Sequence, residues 1–163
     1  MNDLHFELEL RWSGKGRNGA GVILTDDLSL EVSAPGSMGG RDVGTNPEEL
    51  LVSAVTSCYT ATLFAILDRA TLPVDSLVVD ASGTVTGVPG NARFAGIVVS
   101  PTILGGDPAR QPEYEAAACL AHDRCFIGGA LAPEVSYGVG SVEVREAAAR
   151  AMASNERPAR PST

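Results

Sequence analysis

Two cysteines, one arginine and one glutamate carry the chemistry that this sequence could perform. Cys58 lies in an uncharged run, TSCYTA, and Cys125 in AHDRCFIGGAL. Arg17 falls in a glycine-rich segment, SGKGRNGAG, and Glu48 at the head of a helix-forming stretch. A thiol that attacks a peroxide must first be a thiolate, which a nearby cation favours. A second thiol must then resolve the sulfenic acid that forms. The four residues together outline a candidate thiol redox centre. The competing reading is that each cysteine is a small buried hydrophobe, inert in a core.

The remaining reactive side chains point elsewhere. Cys119 and Cys125 fall about 120° apart on a helix turning ~100° per residue, so Cys119 is expected as a buried apolar position outside the redox pair. His122, one helical turn before Cys125, either tunes that thiol or sits on the surface near a helix end. His5 is the other histidine, so no metal site of the closed Cys/His kind is expected. The glycine-rich segment has neither a P-loop ending nor a dinucleotide fingerprint, and no cofactor is expected. The net charge of −8, from 12 basic and 20 acidic residues, excludes a phosphate-tracking face, so no nucleic acid is expected as partner. Lys15 is the sole lysine, which leaves no polybasic lysine patch for a membrane surface. An N-terminus that alternates acidic and apolar residues, with reduced thiols by default, leads us to expect a cytoplasmic protein.

The elements that must position these residues can be read along the chain. Residues 4–12 alternate apolar and polar as a half-buried strand, 22–24 resume a strand after the glycine turn, and 28–32 alternate again, predicting an antiparallel meander. The loop 34–44 carries Arg41, expected as a rival or accessory cation to Arg17. Thr45 or Asn46 can then cap a helix with Pro47 in its first position and Glu48 and Glu49 at its positive end. That helix should run to about residue 70. The stretch from Leu50 to Leu67 contains no charge, which suits a helix buried in a core or between subunits better than a membrane span. Strands are expected over 76–87 and 92–104 around a turn at 88–91. A second helix over 113–125, a short helix before Pro133 and a last strand over 135–144 complete the order βββ–α–ββ–α–β. Antiparallel strands with segregated helices make this an α+β fold. We expect one domain, 1–144, and a C-terminal tail, 145–163, partly helical and then disordered.

The motif GTNPEELL at 44–51, with Cys58 ten positions after Glu48, resembles the OsmC/Ohr family of osmotically induced and organic hydroperoxide resistance proteins. RWSGKGRNGAG at 11–21 and AHDRC at 121–125 match two further landmarks in the same order. The resemblance covers about residues 5–144. It implies a thiol-dependent peroxidase that reduces organic hydroperoxides to alcohols. Cys58 would be the peroxidatic thiol, and Cys125 the resolving thiol that closes a Cys58–Cys125 disulfide. Arg17 would steady the thiolate and the peroxide, and Glu48 would hold Arg17. The implied reductant is a dithiol, carried on a dihydrolipoyl protein. The implied fold is OsmC-like, with antiparallel sheets and two long central helices in an intertwined homodimer. Phe126 stands where the family commonly has proline.

Helix geometry makes the dimer physically sensible. Ten residues span roughly 15 Å along a helix axis, so one helix cannot place both Glu48 and Cys58 at a single thiol. An antiparallel pair of these helices, crossing near Ser53, would set Glu48 of one chain beside Cys58 of the other. Phe126, Tyr59 and Met38 are expected as the apolar surroundings that favour a bulky hydroperoxide. Two alternatives stand beside this: a redox sensor or small-molecule-binding relative without multiple turnovers, and a structural dimer with inert cysteines.

Overall fold

Asn46 and Pro47 start the element around which the rest is arranged. The Asn46 side chain accepts a hydrogen bond from the Glu49 N–H at 2.8 Å, satisfying one orphan donor of the first turn. Pro47 occupies the first helical position, and Glu48 and Glu49 face the positive end of the dipole. Helix α1 runs over Pro47–Arg69, roughly 35 Å in length. In this computed structural model residues 3–146 are described, so most of the expected tail, 147–163, lies outside the described residues.

Helix α1 has two unlike faces. Val55, Tyr59, Leu63, Ile66 and Leu67 recur at helical spacing and are buried. On the far side Ser53, Ala54, Ser57, Ala61 and Phe64 are exposed, and 28% of the most apolar stretch is buried. The hydroxyls on this helix are satisfied locally, Thr56, Thr60 and Thr62 each donating to the carbonyl one turn back at 2.7–2.8 Å. The helix is therefore apolar and uncharged on a face that nothing among the described residues covers.

The buried face meets helix α2, Gln111–Arg124, and the second sheet. Tyr114, Ala117, Ala118 and Ala121 of α2 close against Tyr59 and Leu63, with Val99 and Ile103 of the second sheet beneath. Small alanines let the helices approach closely. Tyr114 fixes the start of α2: its hydroxyl donates to the Pro73 carbonyl at 2.7 Å and accepts from the Asp107 N–H at 3.1 Å.

Two sheets flank this helical layer. The first is the expected meander, β1 Glu9–Ser13, β2 Ala20–Leu24 and β3 Ser29–Ser33, antiparallel in that order. Trp12 lies opposite Gly21 and over Gly19, where a Cβ would fall 2.4 Å from its indole nitrogen. The expected strand over 4–12 begins only at Glu9, because Glu9 already pairs with Leu24, the last residue of β2. Residues before it have no partner strand among the described residues, and Leu4, Phe6 and Leu8 stand exposed.

The second sheet is built on a long antiparallel hairpin, β4 Ser76–Thr86 with β5 Arg93–Leu104. The single strand expected over 135–144 is two, β6 Ser136–Val139 and β7 Glu143–Arg145. The break falls beside Ser100 and Pro101, where Gly140 lies against the Ser100 hydroxyl and Pro101 has no N–H for a ladder. Both short strands pair with β5 in parallel, an addition to the expected antiparallel pairing. The physical reason is the crossover through α2 and the short α3, Phe126–Gly129, which returns the chain in the direction of β5. The α+β class stands, with one antiparallel and one mixed sheet.

Candidate functional site

Cys58 and Cys125 come together where α1 passes the end of α2. Helix α2 stops at Arg124, and Cys125 takes an extended conformation before the chain turns into α3. Its sulfur accepts from the Gly128 N–H at 3.4 Å, while the thiol points to the Val55 carbonyl at 3.8 Å, one turn before Cys58. Burial pushes the Cys125 thiol up from its ordinary value. The Gly128 N–H opposes this, the neighbouring Cys58 adds to it, and the Tyr137 hydroxyl opposes it. Both cysteines are free thiols.

Their environments differ in the way a divided role needs. Cys125 is 1% exposed, whereas Cys58 is half-buried and opens onto an apolar recess of about 480 Å³. Ala54, Ala61, Phe126 and Ile127 are among the recess walls. Of the three expected apolar neighbours, Phe126 is in place. Tyr59 is instead fully buried in the core, its hydroxyl donating to the Ala118 carbonyl at 3.5 Å. Met38 borders a different recess.

That second recess, about 590 Å³, belongs to Glu48, with Met38, Asp42, Gly83 and Val85 around it. Glu48 is set there by the first turn of α1, which packs so tightly on β4 that a Cβ on Gly83 would fall 2.6 Å from Val52. Glu48 Oε2 is buried and has no hydrogen-bond partner among the described residues. Arg17 reaches the same neighbourhood from the glycine turn before β2: its guanidinium donates to the Met38 carbonyl, beside Gly39. Arg41 is exposed on the same loop.

The four expected site residues thus form two pairs. Cys58 joins Cys125, and Arg17 approaches the recess of Glu48, but a turn-by-turn separation along α1 keeps the pairs apart within one chain. Among the described residues, a single chain therefore holds Cys58 at an apolar recess with Cys125 behind it and Arg17 elsewhere, and a buried Glu48 oxygen that no donor meets.

Two other expectations change. Cys119 is exposed on α2, not a buried apolar position, because the face of α2 that meets α1 is taken by Ala117, Ala118 and Ala121. His122 is half-buried and turned away from Cys125. Its Nδ1 faces Asp123 at 2.9 Å and its Nε2 faces the Tyr137 carbonyl at 3.0 Å. Among the described residues no cluster of three or more metal-ligating side chains forms. Sequence reasoning does not single out Tyr137, although its inward place in a strand reading SYGV was a signal available in the sequence.

Comparison with known proteins bears on the family and the fold. A family model described as OsmC-like protein matches residues 39–139. YmaD of Bacillus subtilis (strain 168), an uncharacterized protein, is 34% identical over 134 residues, covering 80% of this chain and 89% of its own. Among solved structures, an organic hydroperoxide resistance protein from Legionella pneumophila superposes with a TM-score of 0.69 at 23% identity, over 87% of this chain and 100% of that one. Another, from Elizabethkingia anophelis, gives a TM-score of 0.69 at 22% identity, over 89% of this chain and 100% of that one. At such identities the likeness to the solved structures is one of fold.

Proposed function

We propose that this chain, which belongs to the OsmC-like protein family, is a thiol-dependent peroxidase that reduces organic hydroperoxides to alcohols in the cytoplasm. The observation that carries the reading is the unequal cysteine pair: an accessible Cys58 in an apolar recess, backed by a buried Cys125. The hydroperoxide resistance proteins that share the fold point to the same substrate class.

The Cys58 thiolate attacks the distal peroxide oxygen, the O–O bond breaks, and the alkoxide takes a proton to leave as the alcohol. Cys58 is now a sulfenic acid. Cys125, kept as a thiol by its burial, waits until this neighbour is oxidised, then displaces water and closes the disulfide. An external dithiol, for which we propose a dihydrolipoyl protein, reduces the disulfide by two exchanges and is itself oxidised. Phe126 and Ile127 supply apolar contact for the organic group of the peroxide.

The missing cation is supplied by a second copy in this reading. An unpartnered Glu48 oxygen, an uncovered face on α1 and the exposed Leu4, Phe6, Leu8 and Leu10 all support a homodimer. Pairing the uncovered α1 faces antiparallel brings Arg17 and Glu48 of one protomer to Cys58 of its partner. Arg17 there favours the thiolate, and Glu48 orients Arg17.

Consumption of cumene hydroperoxide with dihydrolipoamide present tests the reading. Turnover should vanish in Cys58→Ser and fall to a single oxidation in Cys125→Ser. Wild-type protein that is oxidised once and never cycles with any dithiol would overturn the peroxidase and favour a sensor.

A further inference from the structure

Tyr137 is the polar group at the thiol pair that the mechanism above leaves unused. It sits in β6 opposite Ile97 of β5. Its ring stacks on His122 with centroids 4.6 Å apart, and lies against Gly128, where a Cβ would fall 2.3 Å from a ring carbon. Those two contacts fix the ring. Its hydroxyl is buried and completes no hydrogen bond among the described residues, while the Gly128 that its ring touches gives its N–H to the Cys125 sulfur at 3.4 Å, so the ring and that sulfur meet at one residue. A buried, unpaired hydroxyl is unfavourable in a way that a phenylalanine of the same shape would not be. A thiol sulfur is a weak acceptor, but a thiolate is a strong one.

We propose that the Tyr137 hydroxyl is the side-chain donor that stabilises the Cys125 thiolate, both when Cys125 attacks the oxidised Cys58 and when it leaves again on reduction of the disulfide. This rests on the peroxidase reading above. In the forward step Cys125 loses its proton, and a sulfur lone pair attacks the Cys58 sulfenic sulfur. The S–O bond breaks, and the departing hydroxide takes a proton to leave as water. The hydroperoxide has supplied the oxidising equivalents. In the return step the dithiol attacks Cys58, and Cys125 departs as a thiolate that needs a donor at once.

The groups around Cys125 leave this task to Tyr137 and one backbone amide. On α1, Cys58 raises its proton affinity, and the Tyr59 hydroxyl is turned to the Ala118 carbonyl. His122 on α2 has its nitrogens turned to Asp123 and the Tyr137 carbonyl. From α3 comes the Gly128 N–H. Tyr137 itself is pushed far above its ordinary value, first by burial and then by the Cys125 sulfur, so it stays protonated and able to donate.

Tyr137→Phe tests this, since it keeps the ring and removes one oxygen. In a Cys58→Ser, Cys119→Ser background, the thiolate absorbance of Cys125 should titrate about one pH unit higher than with Tyr137 present. In the full chain, sulfenic acid trapped by dimedone after cumene hydroperoxide should persist about tenfold longer, while the first oxidation of Cys58 is unchanged. An unmoved titration, or an unchanged sulfenic lifetime in a protein that does form it, overturns the proposal. If no hydroperoxide oxidises Cys58 in either protein, the peroxidase reading fails separately, and the titration alone decides whether Tyr137 serves Cys125.

Discussion

Tyr59, Leu63, Leu67, Val99, Ile103 and Tyr114 are fully enclosed by α1, α2 and the second sheet, whereas on the N-terminal side Phe6 is 90% and Leu8 66% exposed. The first region obtains its core from four elements that fold over one another within the chain. In the second, β1–β3 contact chiefly each other; Leu10 and Trp12 of β1 are exposed and β2 is half-buried, with Val32 the one buried apolar residue of the three strands. A monomeric protein rarely leaves such a run of large apolar side chains in water. The contrast teaches that the fold is self-sufficient around Cys125 and incomplete around Arg17 and Glu48, which is the same line that divides the two halves of the site.

The largest expected effect would break this contrast on its open side. Phe6→Asp with Leu8→Asp places two charges on the surface proposed to be covered by a second copy. Burying unpaired charges is unfavourable enough to weaken association by about 100-fold or more. Sedimentation should then show monomer, and peroxide turnover should fall in proportion, with the far-ultraviolet spectrum unchanged. A variant that stays dimeric with full turnover would mean that this surface covers nothing. Leu63→Ala probes the closed side. It should lower stability by about 2–5 kcal/mol through the lost transfer energy and the cavity left behind, without changing the association state. Chemical denaturation measures the first and sedimentation the second.

How much of this was legible in the sequence depends on how local the cause is. The start of α1 could be read from TNPEE, since capping, proline placement and dipole complementarity act within one turn. The β4–β5 hairpin followed from alternation on both sides of a turn. Cys58 and Cys125 could be paired through the family resemblance, and the separation of Glu48 from Cys58 followed from helical rise alone. The parallel pairing of β6 and β7 could not be read, because the choice of sheet neighbour is set by a crossover distant in sequence. The late start of β1 likewise depends on where β2 runs out. The exposure of Cys119 was hidden for a related reason: which stripe of α2 faces α1 is decided by three alanines that could equally well lie outside. Tyr137 escaped notice because a tyrosine in a strand becomes chemistry only when a sulfur from another element lies beside it.

The smallest expected effect sharpens the comparison through pH. In the closed region burial raises the proton affinity of Cys125, Tyr59 and Tyr137 together, so each favours its neutral form in the folded state. A raised folded value means that the stabilisation is complete below the unfolded value and disappears as pH climbs through the folded one. The window therefore opens near pH ~8.5 with the cysteine and continues above ~10 with the tyrosines. On the N-terminal sheet the corresponding pair is Glu9 with Arg11, 2.6 Å apart and fully in water. Arg11 holds the Glu9 carboxyl below its usual range, so its contribution is present above about pH 4 and fades as pH falls, and screening keeps it slight. Melting temperature should thus decline by on the order of a few degrees per pH unit on the alkaline side. Cys125→Ala should delay the onset of that decline toward the tyrosine range, whereas Glu9→Gln should leave the alkaline limb untouched. An alkaline limb that ignores Cys125→Ala would place the thiol outside the closed core and erase the distinction between the two regions.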